Sequence, residues 1–428
     1  MKILHISTSI NGGAGISAYR LHKALLSDGI DSFFMSKDCE NNEILRTYSY
    51  NKQVEFEKYT PPELSLRNYF NEKLFKKYSK HKSRIADKYN SKKDLISPKV
   101  KGKFEIFTSP YSLYDLIDTE LYDRADIIHL HWISNYLDFL SFFRRNTKPS
   151  VRTFHDLNPV MGGYHYYVDL NRNTLNQQLD TFFKDIKHQI LSDLVGLTIV
   201  TPSHWLKQKL ITNNLIKSSN KVFQCNYHID SKIFQPLDRT FCRQIFNLPN
   251  DKIVFMFVAE DLNNYRKGFD LIKSFILDVE FQDVYFLIVG EKKDSSTLNT
   301  PNILYTGKIW DEKLMSIAYN CANYFVLPSR EDNLPNTMLE SLVSGTPVIS
   351  FDISDCKEIL EKNNIGLVCP EISSDSLKEI MINCLNNDYI FKKNEISEIA
   401  SFLFNESTVV NFYNNLYLNI LHDKYNYS

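Results

Sequence analysis

The chain has 428 residues, 43% hydrophobic and 24% charged, with a formal net charge of −1. That length predicts two domains of about 200 residues each, and the even charge balance excludes a general nucleic-acid binder. Seven cysteines without CxxC pairing (Cys39, Cys225, Cys242, Cys321, Cys356, Cys369, Cys384) read as reduced core thiols, and no apolar run is long enough for a transmembrane helix.

Lys2 to Ser7 reads as a buried strand running straight into Asn11-Gly12-Gly13-Ala14-Gly15, which is not the pattern of a secretory signal. A helix follows, with Ala18, Leu21, Leu25 and Leu26 on one face. Glycines between a first strand and a first helix let the backbone approach a phosphate or a sugar closely, although a plain tight turn uses the same residues. From Leu66 to Lys103, thirteen Lys or Arg stand against three Asp or Glu, a local net charge of +10. Leu66, Phe70, Leu74 and Tyr78 recur every fourth residue there and predict a basic amphipathic helix. Two readings stay open for it. One is attraction to anionic lipid head groups or a lipid diphosphate acceptor; the other is a solvated insertion that packs its aromatic face on the domain.

Asp126 to Ile133 and Ser150 to Asp156 are two further buried strands, each ending in polar residues. His129 and His131 alternate on one strand face, with no third ligand in view to make a metal site. His155 closes the second strand, and a strand-end histidine of this kind is often structural. Leu197 to Ser203 reads as another strand, leading into a helix near His204.

The second half alternates: strand Ile253 to Val258, helix Phe269 to Leu277, strands Val284 to Val289 and Ile303 to Gly307, helix Asp311 to Cys321. Such alternation implies a parallel, Rossmann-like sheet. Arg266-Lys267-Gly268-Phe269 follows the first of these strands. Two cations beside a helix start suit a departing diphosphate, and equally a basic helix cap. Asn323 to Ser329 and Pro347 to Asp352 then read as strands flanking an acidic turn and a helix carrying Met338, Leu339, Leu342 and Val343. A turn at the carboxyl end of a parallel strand, feeding a helix N-terminus, offers backbone N–H groups and a positive dipole end to a phosphate. Asp332 and Glu340 lie eight positions apart, one in the turn and one on the helix, so both can grip one extended ligand such as a nucleotide sugar. Past Gly366 to Pro370 the chain is expected to turn helical, with Phe402, Phe404, Val409, Phe412, Leu416, Leu418 and Leu421 as apolar positions.

Asp332-Asn333-Leu334-Pro335-Asn336, then Glu340, then Ser344-Gly345-Thr346-Pro347-Val348 resemble the acidic, seven-spaced, acidic signature of family 4 of the retaining GT-B glycosyltransferases. The first acid of that signature is Glu in the family and Asp332 here. The string His155-Asp156, Pro159, Gly162-Gly163 and His165-Tyr166 resembles a subgroup acting in bacterial surface polysaccharide assembly, of the capsule, O-antigen and lipopolysaccharide kind. Asn226 and Asp230 followed by Phe234-Gln235-Pro236 resemble the segment by which the family leaves its first domain. The resemblance implies an α/β GT-B fold of two Rossmann-like domains facing each other across a cleft. Its expected parts are an acceptor-binding domain at 1–235 with a basic insertion at about 52–103, a nucleotide-sugar-binding domain at 236–405, and a C-terminal helix at 406–428 crossing back.

The implied reaction moves a sugar from a nucleotide diphosphate sugar to a hydroxyl of an oligosaccharide or polyprenyl-diphosphate-linked acceptor, with retention and with neither metal nor cofactor. Asp332 would hold the donor sugar's hydroxyls, Glu340 the ribose, and His155 the sugar's reactive end. Gly12, Gly13, Arg266, Lys267, Asn333, Leu334 and Asn336 would complete the donor site. The Arg that the family usually carries six residues before that Lys is Asp261 here, a loss that Arg266 would make good. The expected location is cytoplasmic, or peripheral on the inner face of the cell membrane, with residues 66–103 touching an anionic surface. Two rivals are a sugar-nucleotide 2-epimerase of the same architecture and a non-catalytic sugar-nucleotide-binding partner of a polysaccharide assembly complex. The Asp261 and Asp332 departures favour the latter.

Overall fold

Short runs such as Ile-Ile-His-Leu (Ile127–Leu130), Tyr-Phe-Val-Leu (Tyr324–Leu327) and Val-Ile-Ser-Phe (Val348–Phe351) are buried at every position. Strands covered on both faces by helices require this near-continuous apolar character, and β-branched and aromatic side chains suit it. The computed structural model describes residues 1–55, 92–194, 197–216, 218, 220–277, 283–291, 298, 300–386 and 388–426. The predicted amphipathic repeat Leu66, Phe70, Leu74 and Tyr78 lies outside them.

The chain divides into two compact units. The described residues of Met1–Thr201, Lys207–Phe223 and Tyr413–Ser428 form unit 1, and those of Pro202–Leu206 and Gln224–Phe412 form unit 2. The sequence reading had set these boundaries at 235/236 and 405/406. The last helix, Glu406–Asn426, thus contributes its first part to unit 2 and the rest to unit 1.

Unit 1 is built on seven strands: β1 (Lys2–Ile6), β2 (Asp31–Ser36), β3 (Thr47–Ser49), β4 (Ile127–Leu130), β5 (Ser150–Thr153), β6 (Thr198–Thr201) and β7 (Lys221–Gln224). Their order is β3-β2-β1-β4-β5-β6-β7, and β1 pairs in parallel with both β2 and β4. Unit 2 carries β8 (Ile253–Asp261), β9 (Val284–Glu291), β10 (Ile303–Gly307), β11 (Tyr324–Leu327), β12 (Val348–Phe351) and β13 (Gly366–Cys369) in the order β10-β9-β8-β11-β12-β13. All of its neighbouring strand pairs are parallel. Each sheet therefore follows the Rossmann order, in which strand succession reverses between the first and fourth strands. The carboxyl ends at that reversal are where such sheets bind ligands.

Gly366 to Cys369 is the edge strand β13, and past it the chain turns helical as expected. Three helices follow it, Ser374–Leu385, Lys393–Leu403 and Glu406–Asn426. The described end of the basic insertion, 92–103, packs on unit 1. Leu95, Ile96 and Val100 lie against Tyr111, Phe183 and Ile186, and Asn173 and Asn176 bond the backbone at 101–103. No described helix is long and apolar enough to cross a membrane.

Phe255 sits at the centre of the unit 2 core, its ring 6.1 Å from Phe286 and 5.6 Å from Tyr324. Phe255→Ala is expected to cost about 3–5 kcal/mol, read as a lowered denaturant midpoint for unit 2 by circular dichroism. A loss below about 1 kcal/mol would contradict this packing.

Candidate functional site

In unit 2 the strand order reverses between β8 and β11, and the loops leaving those two strands are locked together. After β8, the Asn264 side chain accepts from the Arg266 N–H at 3.0 Å and starts a single 3-10 turn, Tyr265–Lys267. Gly268 ends the turn at φ +72°, and a Cβ there would lie 2.0 Å from the Pro328 carbonyl oxygen. Only glycine allows this approach. Arg330 fixes the same junction from the other loop: it forks onto Asp270 at 2.8 and 2.6 Å and stacks 3.8 Å from the Tyr265 ring.

This closure brings Arg266 and Lys267 onto Asp332. Lys267 Nζ donates to Asp332 Oδ2 at 2.6 Å, Arg266 Nη1 lies 3.0 Å from the same oxygen, and Arg266 Nη1 also donates to the Glu331 carbonyl at 2.9 Å. Side-chain exposure is 11% for Asp332, 3% for Arg266 and 22% for Lys267, so the cluster is largely desolvated. Burial pushes the Asp332 carboxyl up, but Lys267 and Arg266 outweigh it and hold the group below the ordinary carboxylate range. Two cations and one carboxylate leave an excess of one positive charge.

Pro335 begins the helix Asn336–Val343 and supplies no side-chain cap. Further along that helix, buried Glu340 accepts from the Tyr319 hydroxyl at 3.0 Å. Asn333 accepts at its side-chain oxygen from Ser203 Oγ and at its backbone carbonyl from Ser354 Oγ, and Leu334 is buried in the core. Those two residues hold the turn's shape, with Asp332 in the turn and Glu340 on the helix that follows it.

Gly12, Gly13 and His155 lie in unit 1, and the other candidates belong to unit 2. Gly12 opens the helix Gly12–Ser27 at φ +70°, just past β1. The turn before it is tied to Asp38, whose carboxylate accepts from the Ile10 N–H at 3.0 Å and from the Asn11 amide at 3.2 Å.

His155 leaves β5 half-buried, and the conspicuous loop that follows is held by buried charges. Asp156 accepts from Trp132 Nε1 at 3.1 Å and from the Asn158 N–H at 2.9 Å, and lies 2.6 Å from His165 Nδ1. Burial raises the Asp156 carboxyl, and His165, the Asn158 N–H and His155 together more than reverse this. Lys187 Nζ donates to the Asn158 and Gly162 carbonyls at 2.9 and 2.6 Å; its burial pushes the ammonium down to about 7. Asp180 accepts from the Gly163 and Tyr164 N–H groups at 2.8 and 3.1 Å. Much of this motif is therefore a scaffold around His155.

No third imidazole beside His129 and His131 was legible in the sequence, yet the structure supplies one, His5. Parallel pairing of β1 with β4 sets His5 against His129. The ligating atoms of His5, His129 and His131 all lie within 4.8 Å of one another. His129 is already satisfied, with Tyr417 Oη 2.7 Å from Nδ1 and Thr153 Oγ1 2.8 Å from Nε2. His131 Nδ1 lies 3.1 Å from His155 Nε2. Asp38 and Lys187 were also missed. A lysine in a long helix and an aspartate after a second strand carry no local signature.

Residues 252–387 match the family described as Glycosyl transferases group 1. Among curated proteins the chain is similar to an uncharacterized 41.2 kDa protein in the cps region of Klebsiella pneumoniae, 22% identical over 314 residues, 71% of this chain and 81% of that protein. It is also similar to the capsular polysaccharide biosynthesis glycosyltransferase CapM of Staphylococcus aureus, 23% identical over 205 residues, 44% of this chain and 52% of that one. Among solved structures, Anabaena Alr3699/HepE in complex with UDP-glucose superposes with a TM-score of 0.63 at 12% identity, covering 98% of this chain and 100% of that one. The fold is GT-B, made of two Rossmann-like halves.

Burial holds His22 at about 4, and lowers His5, His129 and His131 well below the ordinary histidine range. A base whose folded pKa lies below its unfolded value of 6.5 binds protons preferentially when unfolded. Stability contributed by keeping it neutral is therefore full above pH 6.5 and is lost as pH falls toward 4. The loss is on the order of 3 kcal/mol for His22 alone. Unit 1 is expected to melt at a steeply lower temperature between those limits, with a shallower slope in His22→Gln; a flat profile would contradict the buried neutral state.

Proposed function

We propose that the chain is a retaining glycosyltransferase that moves a sugar from a nucleotide diphosphate sugar to a hydroxyl of an oligosaccharide or lipid-linked acceptor, in bacterial surface polysaccharide assembly. The observation that carries this reading is the meeting of Arg266, Lys267 and Asp332 at the strand reversal of unit 2, next to the start of the helix Asn336–Val343. The family match over residues 252–387 covers the same elements. The similarity to CapM, named for capsular polysaccharide biosynthesis, favours the surface-polysaccharide setting.

Transfer needs a diphosphate to depart with its charge stabilised. Arg266 and Lys267 supply two fixed cations, and the start of the helix Asn336–Val343 adds its dipole, so the step needs no metal. Asp332 serves twice: it orients both cations in the resting protein, and its carboxylate accepts from hydroxyls of the donor sugar. Glu340, held by Tyr319, takes the ribose hydroxyls. In the family-implied mechanism the acceptor attacks on the face from which the phosphate leaves, and the phosphate takes the acceptor's proton. His155 acts at the sugar's reactive end.

Thermal melting across UDP-, GDP-, ADP- and CDP-sugars without added metal tests the donor. A donor at 100 times its Kd should add about 2.7 kcal/mol of apparent stability, and Lys267→Ala should abolish that shift. Asp332→Ala and Lys267→Ala are each expected to lower kcat/KM by about 100- to 1000-fold, or roughly 3–4 kcal/mol. Wild-type turnover in both variants, with the fold intact, would sink the assignment.

A further inference from the structure

Three cations of unit 2, Arg239, Arg243 and Lys393, converge at the amino-terminal edge of its sheet. Arg239 and Arg243 stand four apart on the helix Arg239–Ile245 and so share a face. Arg243 is buried and donates to the Cys321, Pro249 and Asn250 carbonyls at 3.0, 3.0 and 2.9 Å and to the Asn323 side-chain oxygen at 2.7 Å. Those acceptors lie just before β8 and β11, whereas Arg266, Lys267 and Asp332 lie just after the same two strands. Lys393 opens the later helix Lys393–Leu403, and its Nζ donates to the carbonyl of Leu237, two residues before Arg239, at 2.5 Å.

Nothing among the described residues balances this charge. None of the three cations forms an ion pair there. The nearby Asp238 carboxylate caps its own helix by accepting from the Phe241 N–H at 2.7 Å, and Asp251 lies 3.9 Å from Lys252. Cys242 and Cys321 also face Lys393, but burial raises both thiols, Cys321 to about 12, and so keeps them neutral. The backbone dipole at the start of a helix is positive as well, which adds to the load on Lys393. Burial first and Arg239 next push the Lys393 ammonium down to about 8. Arg239 itself is half-buried, with its Nε closed off from solvent and meeting no hydrogen-bond partner among the described residues. Cations taken out of water without a counter-charge are costly, and proteins ordinarily pair them.

We propose that Arg239 and Lys393 form a binding site for a phosphate group, free or carried on a lipid, at the opposite end of the unit 2 sheet from Asp332. Arg239 offers its guanidinium fork, and Lys393 the ammonium protons not spent on Leu237. Arg243, its donors engaged by backbone and Asn323, holds the floor of the site and adds its field. Both binding side chains are partly open to solvent, so an anion can reach them. The site does not depend on the function proposed above. It also differs from the Asp332 cluster in kind, because no internal carboxylate has to be displaced.

The test is thermal melting of the full-length protein near neutral pH in inorganic phosphate, against sodium chloride of equal ionic strength. The wild type is expected to melt higher in phosphate by mass action. Arg239→Gln and Lys393→Gln should each need about tenfold more phosphate for the same shift, as the loss of a charge-assisted hydrogen bond implies. Lys267→Ala should keep the response, which tells this site from the one at Asp332. Cosedimentation with phosphatidylglycerol vesicles separates the sources: a phosphate response weakened in both variants assigns a soluble phosphate, and vesicle binding alone weakened in both assigns a lipid head group. The proposal is overturned if neither probe responds, or if every response survives unchanged in either variant. Should the variants fail to fold, labelling of the wild type by acetic anhydride near pH 8 decides. Phosphate or the vesicles should then shield Lys393, and unchanged labelling of Lys393 with both overturns the assignment.

Discussion

A parallel sheet buried on both faces has little but its strand ends to offer a solute, and strand order decides which ends lie open. In both units the order reverses beside the first strand, between β1 and β4 and between β8 and β11. The chemically distinctive residues gather there: Arg266 and Lys267 follow β8, Asp332 follows β11, the glycine turn follows β1 and His131 follows β4. The positions of those side chains follow from the buried apolar strands behind them. An intact Phe255 core is therefore a precondition for the charge cluster as much as for stability.

The charge cluster and the imidazole cluster of His5, His129, His131 and His155 illustrate two ways of managing polarity out of water. In the first, burial raises the cost of the Asp332 charge, and two cations at 2.6 and 3.0 Å more than repay it. In the second no charge is kept at all. Burial drives the rings neutral, and they satisfy one another through ring nitrogens and hydroxyls such as Thr153 and Tyr417. The first arrangement suits an anionic ligand, and the second keeps a buried cluster of rings uncharged.

Much of this was legible in the sequence wherever the signal was local. Phe269–Leu277 and Ile303–Gly307 have the bounds that periodicity assigns them, and β11 and β12 flank the acidic turn as the apolar runs imply. Strands β2 and β3 gave no such sign, since Asp31–Ser36 carries no β-branched residue and Thr47–Ser49 has three residues. The helical end of the chain past Gly366 to Pro370 was legible in the same way, while the four-residue edge strand Gly366–Cys369 before it gave no period of its own. The partnerships were beyond reach for a different reason. Asp332 meets a lysine 65 positions away, and His5 meets His131 across 126. Such pairs are set by strand order, which no local window contains.

The triple contact at Asp332 has one more consequence. Arg266 and Lys267 already carry an internal counter-ion, so an arriving anion does not fill an empty positive site but exchanges with a tethered carboxylate. A monovalent or loosely held anion has little with which to win that exchange. A ligand that brings several negative oxygens and, on the same molecule, hydroxyls to occupy the displaced carboxylate can compensate for both halves of it. The resting protein thus screens small ions from its cations by competition, with a discrimination set by the difference between two bound states.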